Sequence, residues 1–331
     1  MTKTKQDLSK HVHTPLDVAN AGYNEAERIQ NSLGMGISFP DIPGTDAATY
    51  IARFMPWEII AVMGQTHNGK SLFFDWLETG IAEGLVKENR PDEVIVHVSH
   101  EESLEAMSFQ QHSKYSGIPV EMIASGQADL KKLKISTNKI AGINIYRIAR
   151  SAQTDESAPP LTTTNIYRLL LELANGNVTG SPVKIAAVFD DYLQAHPYDD
   201  EVKRKGGEDK RRLQVREDVF RMREMVTRLQ APIFLGVQAK QKLTNPRPPF
   251  YIPGIYDGEE SSSIAQRPDR IMSIWMPKVD SYSINEMVPG IGIITEEMFW
   301  LKMLKQRGGL PSGKSWKCAW DYKNHTLAEL L

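Results

Sequence analysis

One cysteine stands in 331 residues, Cys318, so the chain can form no internal disulfide, and that usage suits a reducing cytosol. No apolar run approaches the length of a membrane span, which argues against a membrane protein. The stretch from Met1 to Asp7 has no signal-peptide core. Neither sign of charge dominates: 39 Lys and Arg against 41 Asp and Glu leave a net charge of −2, so any nucleic-acid surface must be local. Eight histidines and one cysteine show no zinc spacing, and His97, His100 and His112 read as ordinary side chains. There is no internal repeat and no low-complexity block. What remains is a globular composition, 41% hydrophobic and 24% charged, long enough for one large or two small domains.

Within it lies one motif with strong chemical content. Gly64-Gln65-Thr66-His67-Asn68-Gly69-Lys70-Ser71 spells G-x-x-x-x-G-K-S. The apolar stretch Trp57–Met63 before it reads as a buried strand, and Leu72–Glu78 after it suits the first turns of a helix. A strand, a Gly-rich turn and a helix aim successive backbone N–H groups and the positive end of the helix dipole at one point, where a phosphate fits. Lys70 is expected on the β- and γ-phosphates of a nucleotide, and the Ser71 hydroxyl on Mg²⁺. The same pattern recurs at Gly308–Ser315, but an alternating, aromatic-rich stretch, Trp316–Tyr322, follows it instead of a helix. This second match reads as a hairpin turn.

The rest of the chain alternates between elements. Strands are expected at 93–99, 143–148, 185–189, 232–237, 270–275 and 299–304, and helices at 104–115, 164–173 and 215–229. That order implies an α/β protein with a mostly parallel sheet covered on both faces. Residues 1–13 are expected to be disordered. Thr14-Pro15-Leu16-Asp17 carries a cap residue, a first-turn proline and an acid, and opens a helix whose stripe runs through Leu16, Ala19, Tyr23, Ala26, Ile29 and Leu33 to Gly34. That stripe needs a partner, in the same chain or in a neighbour. Residues 34–54 read as an irregular connection, Tyr198–Arg212 as a solvated loop, and Gln241–Glu260 as a long loop leaving a strand's carboxyl end, where function concentrates.

Hydrolysis requires a metal anchor and a base besides a phosphate loop. Asp190 or Asp191, at the end of the 185–189 strand, suits the first role. Glu101, just past the 93–99 strand, reaches the same crevice if the two strands are neighbours. Gln238, at the tip of the 232–237 strand, is placed to sense a γ-phosphate. Lys305 and Arg307, two apart on a strand, point to one face.

Taken in order, Gly64–Ser71, Ser99–Ser103, Asp191-Tyr192-Leu193-Gln194, Pro232–Gln238, Ser261–Asp269 and Lys305–Gly309 resemble the ATPase domain of DnaB-type replicative helicases, a RecA-like P-loop group. The resemblance spans about residue 35 to the C-terminus. It implies a RecA-like ATPase domain over 35–331 with a C-terminal β-hairpin, preceded by a linker helix over 14–34 that packs on the neighbouring subunit. It implies Asp191 as the metal anchor, Glu101 as the base, and Lys305 and Arg307 as cations reaching ATP on the adjacent subunit. It further implies a ring, a hexamer in that family, that holds single-stranded DNA through Lys240, Lys242, Arg247, Glu260, Ser261, Ser262 and Ser263. Possible helpers are a loader or a primase, although the family's primase-recruiting N-terminal domain has no counterpart ahead of the core. Glu259 and Glu260 stand where the family carries an Arg, which is unfavourable next to a polyanion. Other readings are a RecA-like loader or switch that binds DNA and ATP without unwinding, and a monomeric P-loop kinase for small molecules.

Overall fold

The computed structural model describes residues 14–31, 36–151, 158–199, 210–240, 252–258, 263–280, 284–307, 312–322 and 325–330. The chain divides into two units, residues 1–35 and 36–331. The first contains helix α1 (Pro15–Asn31). Its start is capped reciprocally: Thr14 N and Oγ1 donate to Asp17 Oδ2, both at 2.7 Å, and Asp17 N donates to Thr14 Oγ1 at 3.2 Å. Leu33 and Gly34 lie outside the described residues.

In the second unit the elements run β1 (Ile37–Ser38), α2 (Ala47–Ile51), β2 (Arg53–Phe54), β3 (Ile59–Gly64), α3 (Lys70–Lys87), β4 (Glu93–Ser99), α4 (Leu104–Ser116), α5 (Val120–Ala124), α6 (Leu130–Ala141), β5 (Ile145–Ile148), α7 (Thr163–Ala174), β6 (Lys184–Asp191), α8 (Lys210–Leu229), β7 (Ile233–Gln238), α9 (Ser263–Gln266), β8 (Arg270–Trp275), β9 (Met287–Val288), β10 (Gly292–Ile293), β11 (Met298–Gln306), β12 (Ser315–Asp321) and β13 (Thr326–Glu329). Nine strands form one sheet in the order β13-β12-β11-β8-β3-β7-β6-β4-β5. The six from β8 to β5 are parallel, and β11, β12 and β13 extend the sheet antiparallel.

The expected strands and helices are present, with their ends moved by a few residues. Three details differ from expectation. Residues 34–54 hold a short helix, α2, and a two-stranded pairing of β1 with β2, which the polar turn residues between them concealed. Lys210, Arg211 and Arg212 belong to helix α8, not to a loop, and Arg211 Nη1 donates to the His196 carbonyl at 2.7 Å. Helices α5 and α6 were not foreseen. Asp129 caps α6 by accepting from Lys131 N and Lys132 N.

β3 explains how two cores share one sheet. Ile60 and Val62 face one layer, with Phe73, Phe74 and Leu77 of α3. Ile59, Ala61 and Met63 face the other, with Ile166 and Leu170 of α7 and Val219 and Met222 of α8. A strand buried on both sides carries no polar alternation, as its sequence does not. On the α3 side, Phe234 stacks on Phe189 at 4.5 Å between centroids and meets Phe54 edge-on at 4.8 Å, each contact adding about 0.5–1.5 kcal/mol beyond burial. Among the described residues no helix is long and apolar enough to cross a membrane.

Candidate active site

β3 ends at Gly64, between the ends of β7 and β8, and the chain turns there into α3. The turn uses left-handed backbone at His67 (φ 63°) and Gly69 (φ 78°). A Cβ on Gly69 would lie 2.7 Å from Met276 Sδ, so this position is closed to other residues by both strain and space. Asn68, buried, accepts from Met276 N at 2.8 Å and ties the loop to the exit of β8. Gly69 supplies no side-chain cap to α3, and a helix start without one is where an anion fits. Lys70 is buried at the base of the loop, with Nζ donating to the carbonyls of Gly64 (3.2 Å) and Gln65 (3.0 Å). The Tyr192 ring lies 5.7 Å beneath it.

The two acids at the end of β6 part company, as successive residues on a strand do. Asp191 turns toward α3, where its Oδ2 accepts from Ser71 Oγ at 2.6 Å. Asp190 turns away, and its Oδ1 lies 3.1 Å from His100 Nε2 and 2.8 Å from His196 Nε2. Of the two, Asp191 is the one that meets the phosphate loop.

β4 lies directly beside β6, with Ser99 paired to Asp191, so the strand exits that carry Glu101 and Asp191 are neighbours. His100 N donates to the Asp191 carbonyl at 3.0 Å. Glu101 is exposed, whereas Glu102 is half-buried and accepts from Gln110 Nε2 at 3.0 Å. Burial raises the Glu102 carboxyl above its ordinary range, and the negative charge of Asp191 adds to the effect against the Gln110 bond. Sequence reasoning passed over Glu102, although two consecutive acids at a strand exit were visible.

Gln238 closes β7 beside Gly64. Its side chain donates to Thr66 Oγ1 in the phosphate loop at 2.5 Å. Gln194 grips its backbone from the other side, accepting from Gln238 N at 3.1 Å and donating to Gln238 O at 3.2 Å. Past it, Ala239 bridges to Gly258 and Lys240 N donates to Asp257 O at 2.7 Å, while Gln65 Nε2 reaches Lys240 O at 3.4 Å. Lys240 is exposed. Of the other expected DNA contacts, Lys242, Arg247, Glu260, Ser261 and Ser262 lie outside the described residues. Ser263 opens α9 and is buried, so in this chain its side chain faces the protein.

Lys305 and Arg307 are not brought to this crevice. β11 runs against β8, so Lys305 pairs with Ile271 and Gln306 with Arg270, at the end of the sheet where β3 begins. The phosphate loop leaves the other end, about 13 Å away along β3 at 3.3 Å per residue. Lys305 Nζ donates to the carbonyls of Ala265 (3.1 Å) and Gln266 (2.8 Å), and Arg307 to Gln266 O (3.1 Å) and Asp269 Oδ1 (3.1 Å). Their shared acceptor, Gln266 O, puts the two cations on one side, as their spacing predicts. Burial, then Arg307, lowers the Lys305 pKa. β11 and β12 pair antiparallel, and the second G-x-x-x-x-G-K-S match leads at Ser315 into strand β12 instead of a helix; residues 308–311 lie outside the described residues.

Among solved structures, the chain is similar to the ATPase domain of G40P, with a TM-score of 0.68, 15% identity, and coverage of 95% of this chain and 99% of that one. The fold is that of a DnaB-type helicase ATPase domain. A second neighbour, a DnaB-like replicative helicase described with its interactions with primase, gives a TM-score of 0.66 at 15% identity. That match covers 94% of this chain, which spans 66% of the helicase's length. No protein-family model matches the chain, and no curated protein does. The RecA-like α/β architecture with a C-terminal antiparallel extension, expected from the motifs, is the one observed.

Proposed function

We propose that this chain is a Mg²⁺-ATP-dependent motor of DnaB type, cytoplasmic, that assembles into a ring and moves on single-stranded DNA. The Ser71–Asp191 contact at the mouth of the phosphate loop is the observation that carries this reading. A hydroxyl and a carboxylate held 2.6 Å apart beside a buried lysine are the donor set that Mg²⁺ takes in P-loop ATPases. The left-handed turn at Gly69, packed against Met276 and Phe299, delivers the chain from the loop into α3, whose first-turn N–H groups suit the phosphates that accompany the ion. When bound, Mg²⁺ supplies charge neutralisation at the β- and γ-oxygens.

The chain's own residues then divide the work. The N–H groups of the 64–71 loop and α3 hold the phosphates. Lys70 exchanges its carbonyl acceptors for phosphate oxygens, and Asp191 with Ser71 holds the metal's shell. The acid at the exit of β4 takes the proton of the attacking water. Glu101 fills that place by resemblance, while the half-buried carboxyl of Glu102, with its pKa raised by burial, favours Glu102 on physical grounds. Gln238 links the loop at Thr66 to the segment beginning at Lys240, which offers phosphates of DNA a cation. Lys305 and Arg307, at the far end of the sheet from their own loop, act on the site of a neighbour.

The test is ATP hydrolysis against protein concentration, with and without single-stranded DNA. Turnover that rises cooperatively with concentration and with DNA is the expected result, followed by strand separation. DNA binding with no unwinding selects the loader or switch, with primase or loader dependence then examined. Full activity in dilute, DNA-free solution overturns the ring motor, and phosphate transfer to a small acceptor would identify a kinase.

A further inference from the structure

On the side of β6 turned away from the phosphate loop, the buried side chain of Asp190 meets two buried imidazoles. Asp190 Oδ1 lies 2.8 Å from His196 Nε2 and 3.1 Å from His100 Nε2. The three donor atoms fall within 4.8 Å of one another, and the two rings are 4.2 Å apart between centroids. All three side chains are at most 3% exposed. These residues come from the exit of β4, the end of β6 and the turn after it, which explains why no zinc spacing appears in the sequence.

The hydrogen bonds around His196 determine what its Nε2 can offer. Thr163 Oγ1 donates to Asp218 Oδ1 at 2.5 Å, so its hydrogen is committed. The His196 Nδ1 that lies 2.8 Å from the same oxygen is therefore the donor there. Asp218 Oδ2 stands 3.7 Å from that nitrogen, and Gln214 Nε2 fixes Asp218 from behind at 2.6 Å. A neutral His196 with its proton on Nδ1 turns a lone pair from Nε2 onto the Asp190 oxygen. Two lone pairs at 2.8 Å repel, so a cation belongs between them. An imidazole whose distal N–H is held by a hydroxyl, itself bonded to a buried carboxylate, is the outer-shell arrangement of a metal-ligating histidine.

We propose that His100, Asp190 and His196 bind a divalent zinc ion. Two imidazole nitrogens and one carboxylate oxygen form a three-ligand set for tetrahedral Zn²⁺, with a water as the fourth ligand. The ion is distinct from the Mg²⁺ of the phosphate loop, because Asp190 and Asp191 face opposite ways. Its position gives it a structural task. His100 adjoins Glu101, and Asp190 adjoins Asp191, so the ion clamps together the two strand ends that carry the candidate base and metal anchor. The proposal stands whether or not the chain is a helicase.

The full chain, nucleotide-free and purified from zinc-supplemented culture without chelator, is measured for bound metal by mass spectrometry and by zinc-edge X-ray absorption. One zinc per chain with two imidazoles in its shell is expected. Cobalt replacing the zinc should give the visible band of a four-coordinate site, and removal by chelator should lower the melting temperature. His196→Asn should lose the ion, Asp218→Asn should weaken its affinity about 10–100-fold, and Ser71→Ala should keep it. A wild-type chain that retains no zinc and whose melting temperature ignores zinc and chelator overturns the proposal: the cation is then a proton on His196. A cobalt band that survives His196→Asn but disappears in Ser71→Ala also overturns it, placing the ion at the phosphate loop. If His196→Asn does not fold, the wild-type absorption spectrum decides alone, because a shell lacking imidazole sinks the assignment.

Discussion

Arg307 is paired with Asp269, Nη1 to Oδ1 at 3.1 Å, and the same carboxylate accepts from Ile59 N at 2.9 Å through its other oxygen. Asp269 Oδ2 also accepts from Arg223 at 2.8 Å. The candidate transition-state cation is thus parked at the start of the strand whose far end carries the phosphate loop.

Arg307→Ala is expected to reduce ATP turnover by about 10³–10⁵, the range for a cation supplied to the γ-phosphate by another subunit. The discriminating measurement is subunit mixing. Lys70→Ala and Arg307→Ala chains, each inactive alone, should regain part of the activity when mixed, since one supplies the intact loop and the other the intact cation. No recovery at any ratio would remove the trans role.

Glu101→Gln and Glu102→Gln separate the two candidate bases. The base variant is expected to bind ATP normally and lose hydrolysis by about 10²–10⁴, while the other keeps most of its turnover. Parallel nucleotide-binding and phosphate-release assays read the difference. Equal, mild effects in both would mean that neither acid activates the water.

Gln238→Ala removes the donor to Thr66 and leaves the backbone grip of Gln194 intact. Turnover with single-stranded DNA is expected to fall more than turnover without it, because the lost bond joins the phosphate loop to the strand that leads into the 240–258 segment. A uniform drop in both would make Gln238 a binding residue only.

Glu78 offers a pH test of stability. Burial by itself would raise its pKa, but Arg147 and then His97 outweigh burial and hold it at about 2. Its Oε2 lies 2.8 Å from His97 Nδ1 and its Oε1 2.5 Å from Arg147 Nη2. A depressed carboxyl adds stability above its unfolded pKa near 4.5, and that stability is lost as pH falls toward 2. Glu78→Gln should therefore cost about 3–5 kcal/mol at pH 7, a penalty that shrinks through this acid window, followed by urea unfolding. A penalty independent of pH would assign it to packing.

How much of this was written in the sequence depends on distance along the chain. The phosphate loop is eight contiguous residues, and its flanking strand and helix announce themselves by period, so Lys70 and Ser71 were found. Asp191 and Gln238 end apolar strands; position singled out Gln238 but left Asp190 and Asp191 both open, and the resemblance chose Asp191. The meeting of Asp190 with His100 and His196 was not legible, because strand pairing alone brings residue 100 to residue 190. Glu102 was missed since burial, not residue type, distinguishes it from Glu101. α6 hid its helical stripe among lysines, with Leu130 and Ile135 exposed in the fold.

The antiparallel course of β11 has a consequence for symmetry. The phosphate loop and the Lys305–Arg307 pair lie at opposite ends of the sheet, so one two-fold contact could join each loop to the other copy's cations only if both ends fell within a single self-complementary patch. Contacts made with one end at a time are heterologous, head to tail, and either close into a cycle or run on as a filament. The choice between those two outcomes is then a matter of the rotation from one copy to the next, and of nothing in the chemistry of the site.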